Sequence, residues 1–129
     1  MRRRPWVAIA ALAIGCNAPG EVGVTLTGEV PATATSALVY ALGDATCPCR
    51  CGACAAQCAT SPCAIACGGA RCDLADLEGV SLAPGPGLWA LVIDLYDADG
   101  ALVASACANL AIASDGASSA VNAPVETCP

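Results

Sequence analysis

The sequence predicts an all-β fold: a small antiparallel β-sandwich with a cysteine-rich, disulfide-stapled insertion that contains short helical turns. Three observations predict it. Apolar residues alternate with period two in several segments, and Asp-Gly turn signals separate the later ones. Eight cysteines crowd into Cys47–Cys72, a span whose only large apolar side chain is Ile65, so it cannot build a core of its own and needs covalent staples.

In "VGVTLTG", Val22, Val24 and Leu26 alternate with Gly23, Thr25 and Thr27, the pattern of a half-buried strand. "ALVYAL" repeats it with Leu38, Tyr40 and Leu42, and Pro31 with "ATATS" supplies the connection. In "GLWALVIDLYDADGALVASACANLAI", Trp89, Leu91, Ile93 and Leu95 line one face of a strand, and Asp97-Ala98-Asp99-Gly100 supplies a tight hairpin turn. A two-residue loop sets odd residues before the turn opposite even residues after it. The inner face then continues through Leu102, Ala104, Ala106, Ala108, Leu110 and Ile112. Cys107 falls on the other face with Val92, Asp94 and Tyr96, a face that needs a cover or a disulfide partner. A second turn, Ser114-Asp115-Gly116, leads to a weaker last strand around Ser118 to Val125.

The chain opens with "MRRRPWVAIAALAIGC", three arginines followed by an uncharged apolar run from Trp6 to Ile14. This is the pattern of a secretory leader, and the run is shorter than the ~20 residues a membrane-spanning helix needs. Ala13-Ile14-Gly15-Cys16 resembles the lipobox of bacterial lipoproteins, although the usual Leu three residues before the cysteine is replaced by Ala13, with Leu12 one place earlier. The resemblance implies a signal peptide over 1–15, lipidation of Cys16 and a lipidated N-terminus and tether over 16–21; the strand pattern then makes 22–129 one β-sandwich domain with its insertion at 47–72.

Without residues 1–15, Arg50 and Arg71 face all eleven acids, a formal net charge of −9, and no lysine is present. Nucleic acid is not an expected partner, because phosphate binding needs clustered Lys or Arg.

The hairpin region resembles the Gly-x-Trp, alternating strand and Asp-x-x-Gly turn of the prealbumin-like and fibronectin type III-like sandwiches of bacterial envelope lipoproteins. That resemblance implies a sandwich but no particular activity, since the fold serves adhesins, scaffolds and accessory domains alike.

Three chemistries compete for the cysteine segment. A disulfide scaffold would use Cys47, Cys49, Cys51, Cys54, Cys58, Cys63, Cys67, Cys72, Cys107 and Cys128, an even set in an oxidising compartment. A thiolate centre for Zn or Cu(I) would use Cys47, Cys49, Cys51 and Cys54, whose C-x-C spacing resembles metallothioneins. A redox role for Cys51-Gly52-Ala53-Cys54 lacks the strand-to-helix context that thioredoxin-like motifs have. Within the segment, "CAAQC" and "CAIAC" space cysteines one helical turn apart. Ser61 suits an N-cap, Pro62 a first helical position and Gly68-Gly69 a stop. Two antiparallel helical turns would set Cys54 opposite Cys67 and Cys58 opposite Cys63, a pairing that resembles helical-hairpin disulfide modules. Cys107 is expected to bond to Cys47, Cys49, Cys51 or Cys72. A turn centred on Asp115-Gly116 puts Cys107 opposite Pro124, so Cys128 lies about 13 Å away, beyond the roughly 7 Å Cα limit.

Histidine is absent, so Ser-His-Asp, Cys-His and His-ligated metal catalysis have no residues to use. The pairs Asp94/Asp97 and Asp73/Asp76 read as solvated surface charge, and the Asp97–Gly100 run as a turn rather than a calcium loop, since an EF-hand register would place Leu95 and Ala106 at its first and last ligand positions. The expectation is a non-enzyme without cofactor: a lipid-anchored protein of the cell envelope, secreted to the extracytoplasmic side of a bacterial membrane (the outer membrane or cell surface if Gram-negative). Its role is structural or surface-interacting, and its partners are the membrane, through the anchor, and an envelope protein. The alternative is an envelope Zn or Cu thiolate protein using Cys47–Cys72.

Overall fold

The apolar stretch around Trp89 forms the middle of the sheet. The computed structural model describes residues 24–79, 82, 84–114 and 121–129, so the leader, Cys16, the tether, Val22 and the Asp115-Gly116 turn lie outside the described residues. Here β5 (Gly87–Asp97) and β6 (Leu102–Ile112) pair antiparallel, and odd residues of β5 face even residues of β6 from Gly87 opposite Ile112 to Leu95 opposite Ala104.

The turn differs from the expected two-residue loop. Asp97 N–H donates to the Ala101 carbonyl at 2.9 Å, enclosing Ala98-Asp99-Gly100. Gly100 takes the positive φ of 85° that closes such a loop. Asp97 Oδ1 accepts the N–H groups of Asp99 and Ala101, both at 2.9 Å. The extra loop residue is absorbed by a register shift next to Tyr96, which faces Leu102 and leaves Val103 bulged. Leu102 therefore leaves the inner face: its Cδ2 lies 3.3 Å from where a Cβ on Gly52 would stand, and Val103 packs against the main core instead.

On the other side of β5 lies β2 (Ala34–Gly43), antiparallel, with Ala37 opposite Leu95 and Gly43 opposite Trp89. The expected half-buried strand is buried almost throughout from Ala37 to Gly43, because both of its faces are covered. Ala37, Val39 and Ala41 enter the main core, while Tyr40 and Leu42 enter a second cluster on the opposite face, with Leu38 packed beside them.

β7 (Val121–Thr127) pairs with β6 only through Val125–Thr127, and its first half pairs in parallel with β1 (Val24–Thr27). Pro124, which has no N–H to give to a ladder, sits where β7 changes partner. The sheet is thus antiparallel with one parallel pair, and the described part of the last strand begins three residues beyond the expected Ser118.

The main core joins Trp89, Leu91, Ile93 and Leu95 to Ala104, Ala106, Ala108, Leu110 and Ile112. Leu26, Ala123, Leu74 and Leu77 close over it. Leu74 and Leu77 come from the 3₁₀ stretch Leu74–Gly79, where side chains three apart stack on one side. Trp89 satisfies its indole N–H on the Gly85 carbonyl at 3.0 Å.

The cysteine segment is part of the sheet. β3 (Cys63–Ile65) and β4 (Cys72–Asp73) both pair antiparallel with β2, placing Cys63 opposite Leu42 and Cys72 opposite Ala37. Two short strands laid end to end cover an edge that a long exposed strand would leave open to other chains. Gly43 permits this approach: its N–H donates to the Pro62 carbonyl at 2.7 Å, and a Cβ on it would stand 2.9 Å from Pro62 Cβ.

Candidate functional site

Five disulfides join ten cysteines: Cys47–Cys107, Cys49–Cys54, Cys51–Cys128, Cys58–Cys63 and Cys67–Cys72. Their Cα separations run from 5.1 to 5.9 Å, inside the span of about 4.4–6.8 Å that a disulfide needs. Cys107 joins Cys47, and Cys128, which stands opposite Val103 through its N–H, joins Cys51.

The pairing of Cys54 with Cys67 across two helical turns is corrected: Cys54 bonds to Cys49 and Cys67 to Cys72, while Cys58 does bond to Cys63. Ser61-Pro62 opens no helix. It leads into β3, and the helical content of the segment is two 3₁₀ turns, Ala55–Ala59 and Cys67–Gly69.

The local staples have a rule of their own. Each closes a separation of five residues, and the pairs recur every nine: Cys49/Cys54, Cys58/Cys63, Cys67/Cys72. The segment is therefore a threefold C-x4-C-x3 repeat, and the second cysteine of the last two units opens the strand that pairs with β2. The four-residue spacings that suggest helices, 54 to 58 and 63 to 67, connect successive staples. The period of nine was the available signal.

Residues 47–52 run back along the outer face of β6. Cys47 N–H donates to Asn109 Oδ1 at 2.9 Å, and Cys47 is bonded to Cys107. Cys51 N–H donates to Ser105 Oγ at 2.8 Å, and Gly52 meets Leu102. Cys51 and Gly52 both hold positive φ, 52° and 79°, turning the chain over the sheet. Cys49 of this path and Cys54 form the second apolar cluster with Tyr40, Leu42 and Val92 of the sheet. Burying a side chain such as Leu42 or Val92 is worth roughly 1.5–3 kcal/mol, so the cover stabilises the sheet as well as itself.

Two polar residues share that dry face. Asp94 and Ser105 stand opposite each other across β5 and β6, with 0% and 2% of their surface exposed. Asp94 is thus no solvated surface acid, which corrects the sequence reading; the cover excludes water from it. Tyr40 O–H donates to Asp94 Oδ2 at 3.4 Å, and Oδ1 has no hydrogen-bond partner. Burial pushes the Asp94 carboxyl above the ordinary carboxylate range, although the Gly52 amide and Tyr40 hydroxyl both favour its anion. Burial and the nearby Asp94 push the Tyr40 phenol up as well. Tyr96 is raised by burial and Asp94 and lowered by Arg71, whose guanidinium lies 3.9 Å over its ring. Of the other acids considered, Asp97 holds the hairpin turn, Asp73 is exposed in β4, and the Asp76 side chain lies outside the described residues.

Beside the Cys47–Cys107 bond is a small cleft of about 150 Å³, lined in part by Pro48, Arg50, Ser105 and Glu126. Arg50 and Glu126 of its lining form an exposed ion pair, Arg50 Nε to Glu126 Oε1 at 3.0 Å. Cys47, Cys49, Cys51 and Cys54, the thiolate set of the alternative reading, are all in disulfides, so none carries the thiolate a metal would need in this oxidised state. The buried cluster is visible in sequence only as an acid placed between apolar neighbours in "VIDLY".

Comparison of the chain with protein-family models, curated proteins and solved structures gives no match.

Proposed function

We propose that this is a small lipid-anchored protein of the bacterial cell envelope, non-catalytic, whose sandwich presents the cysteine segment as a rigid surface for structural or interaction purposes. The observation that carries the reading is the oxidation of all ten cysteines beyond Cys16 in pairs, two of which tie the segment to β6 and to the C-terminal end. Disulfides in such density belong to an oxidising compartment. The outward side suits contact rather than chemistry. No charged side chain occurs from residue 51 to residue 70 in an otherwise acidic chain, and Ala53, Ala56, Gln57, Ala59, Pro62 and Ile65 are exposed there. The resemblance of the hairpin to prealbumin-like and fibronectin type III-like sandwiches of envelope lipoproteins agrees with such a role.

Expression of the full chain in a bacterium that lipidates envelope proteins tests the anchor. The expected result is a membrane-bound product whose N-terminal peptide starts at Cys16 and carries lipid, and whose Cys16→Ala variant is released from the membrane. An unmodified N-terminus beyond Cys16 would overturn the lipoprotein assignment. Intact mass separates the second reading: reduction should add two hydrogens per disulfide to a metal-free protein. A mass that includes Zn or Cu and does not change on reduction would favour the thiolate centre.

A further inference from the structure

Among the described residues, one buried ionisable group lacks a complete set of partners, and it lies beneath the Cys51–Gly52 turn of the cover. Asp94 is fully buried and its Oδ1 is unpartnered. The backbone ladders of β2 and β6 close on either side of it, with Leu38 and Ser105 directly opposite. Over it lies the turn Cys51–Gly52, held to the sheet by the Cys51 N–H bond to Ser105 Oγ, by the Gly52 amide beside the carboxyl and by the Cys51–Cys128 disulfide.

We propose that Asp94 is a proton-held latch: it remains a neutral acid while Cys51–Gly52 is closed over it, and loss of its proton lifts Cys51–Gly52 from the sheet to admit water.

The groups facing Asp94 all bear on this. From β2 comes Tyr40, a hydroxyl donor that is neutral itself; from β5, Tyr96; from β6, Ser105 and the disulfide-bonded Cys107. From the cysteine segment come the Gly52 amide and Arg71, whose guanidinium is engaged on the Tyr96 ring. Beyond Ser105, Glu126 is paired with Arg50 at the surface. No salt bridge reaches Asp94 among the described residues.

An unpaired carboxylate is strongly disfavoured in a dry site, and relief comes from water or from the proton. Water cannot enter through the hydrogen-bonded sheet without breaking several ladder bonds. Lifting Cys51–Gly52 breaks far fewer. The Cys47–Cys107 and Cys51–Cys128 bonds keep the turn tethered, so it closes again when the proton returns. Burial raising the Asp94 pKa gives the sign. The closed form binds the proton more tightly than the open form. Closure is therefore complete below the ordinary carboxyl value of about 4 and weakens up to tenfold per pH unit above it, levelling off once pH passes the folded pKa.

The test is a carbon-13 titration of the Asp94 carboxyl in the oxidised protein, with amide-exchange protection factors of Cys51 and Gly52 measured over the same pH range. The same protection factors are measured in Asp94→Asn, which mimics the neutral acid. The expected result is a carboxyl that titrates above the ordinary range, with protection at Cys51 and Gly52 falling up to tenfold per pH unit across that window and flat in Asp94→Asn. A carboxyl titrating at or below about 4 overturns the proposal, as does the same pH dependence of protection in both proteins. If Asp94→Asn does not fold, the unmutated protein still decides: protection that stays level between about pH 4 and the pH at which the carboxyl titrates overturns the latch.

Discussion

Cys47 and Cys107, sixty residues apart in sequence, are joined across the outer face of β6, with their Cα atoms 5.9 Å apart. This bond holds the start of the cysteine segment where Tyr40, Leu42 and Val92 need cover. On a loop-entropy basis a bond closing a loop of this length is worth about 4 kcal/mol, and one closing a five-residue separation about 2 kcal/mol. The double variant Cys47→Ala/Cys107→Ala is therefore expected to lose more stability in denaturant unfolding than Cys58→Ala/Cys63→Ala, by about 2 kcal/mol. Equal losses would mean that the long-range bond is not the principal clamp.

Ser105 is expected to matter beyond its size. It is buried and accepts the Cys51 N–H at 2.8 Å. Ser105→Ala leaves that donor without its partner under the cover, a loss of about 1–3 kcal/mol, and Cys51 amide protection should fall with it. Unchanged protection would show that the disulfides alone hold the turn.

Gly43→Ala tests the docking of β3 on β2. Its new methyl group would stand 2.9 Å from Pro62 Cβ and 3.3 Å from the Pro62 carbonyl oxygen, a backbone atom that moves only with the strand. The expected cost is about 1–3 kcal/mol, with loss of protection centred on β3. A neutral substitution would mean that Pro62 lies farther from β2 than the structure places it.

The two tyrosines of the chain report on the same face from the alkaline side. Tyr40 and Tyr96 are both raised, chiefly by burial. The folded state thus opposes phenolate formation, and the stability contributed is complete below the unfolded value of about 10 and lost as pH rises beyond it. Ultraviolet titration at pH 10 should find fewer than half of the phenols ionised in the folded protein and about half in denaturant. Identical curves would contradict the burial of Tyr40 and the raised Tyr96.

The alternation around Trp89 and the parity of the Asp97–Gly100 hairpin were legible because a pleated strand with one apolar face repeats every two residues. That parity also put Cys107 on the face with Val92 and Asp94. Leu102 was misplaced because a bulge beside the turn leaves no mark in the apolar pattern. The burial of β2 on both faces from Ala37 to Gly43 was hidden because a strand covered on both faces loses its alternation. Asp94 read as surface charge for the same reason: its burial is decided by a segment more than forty residues away. The staples were misread as helices because a four-residue spacing fits a helical turn as well as a connector, and only the nine-residue recurrence separates them.

Non-reducing peptide mapping of the oxidised protein tests most directly whether the cysteine segment is a disulfide-clamped cover. The expected result is Cys47 linked to Cys107 and Cys51 linked to Cys128, local links Cys49–Cys54, Cys58–Cys63 and Cys67–Cys72, and no free thiol among these ten. Recovery of a Cys107–Cys128 peptide, or of Cys47, Cys49, Cys51 and Cys54 as free thiols, would contradict it.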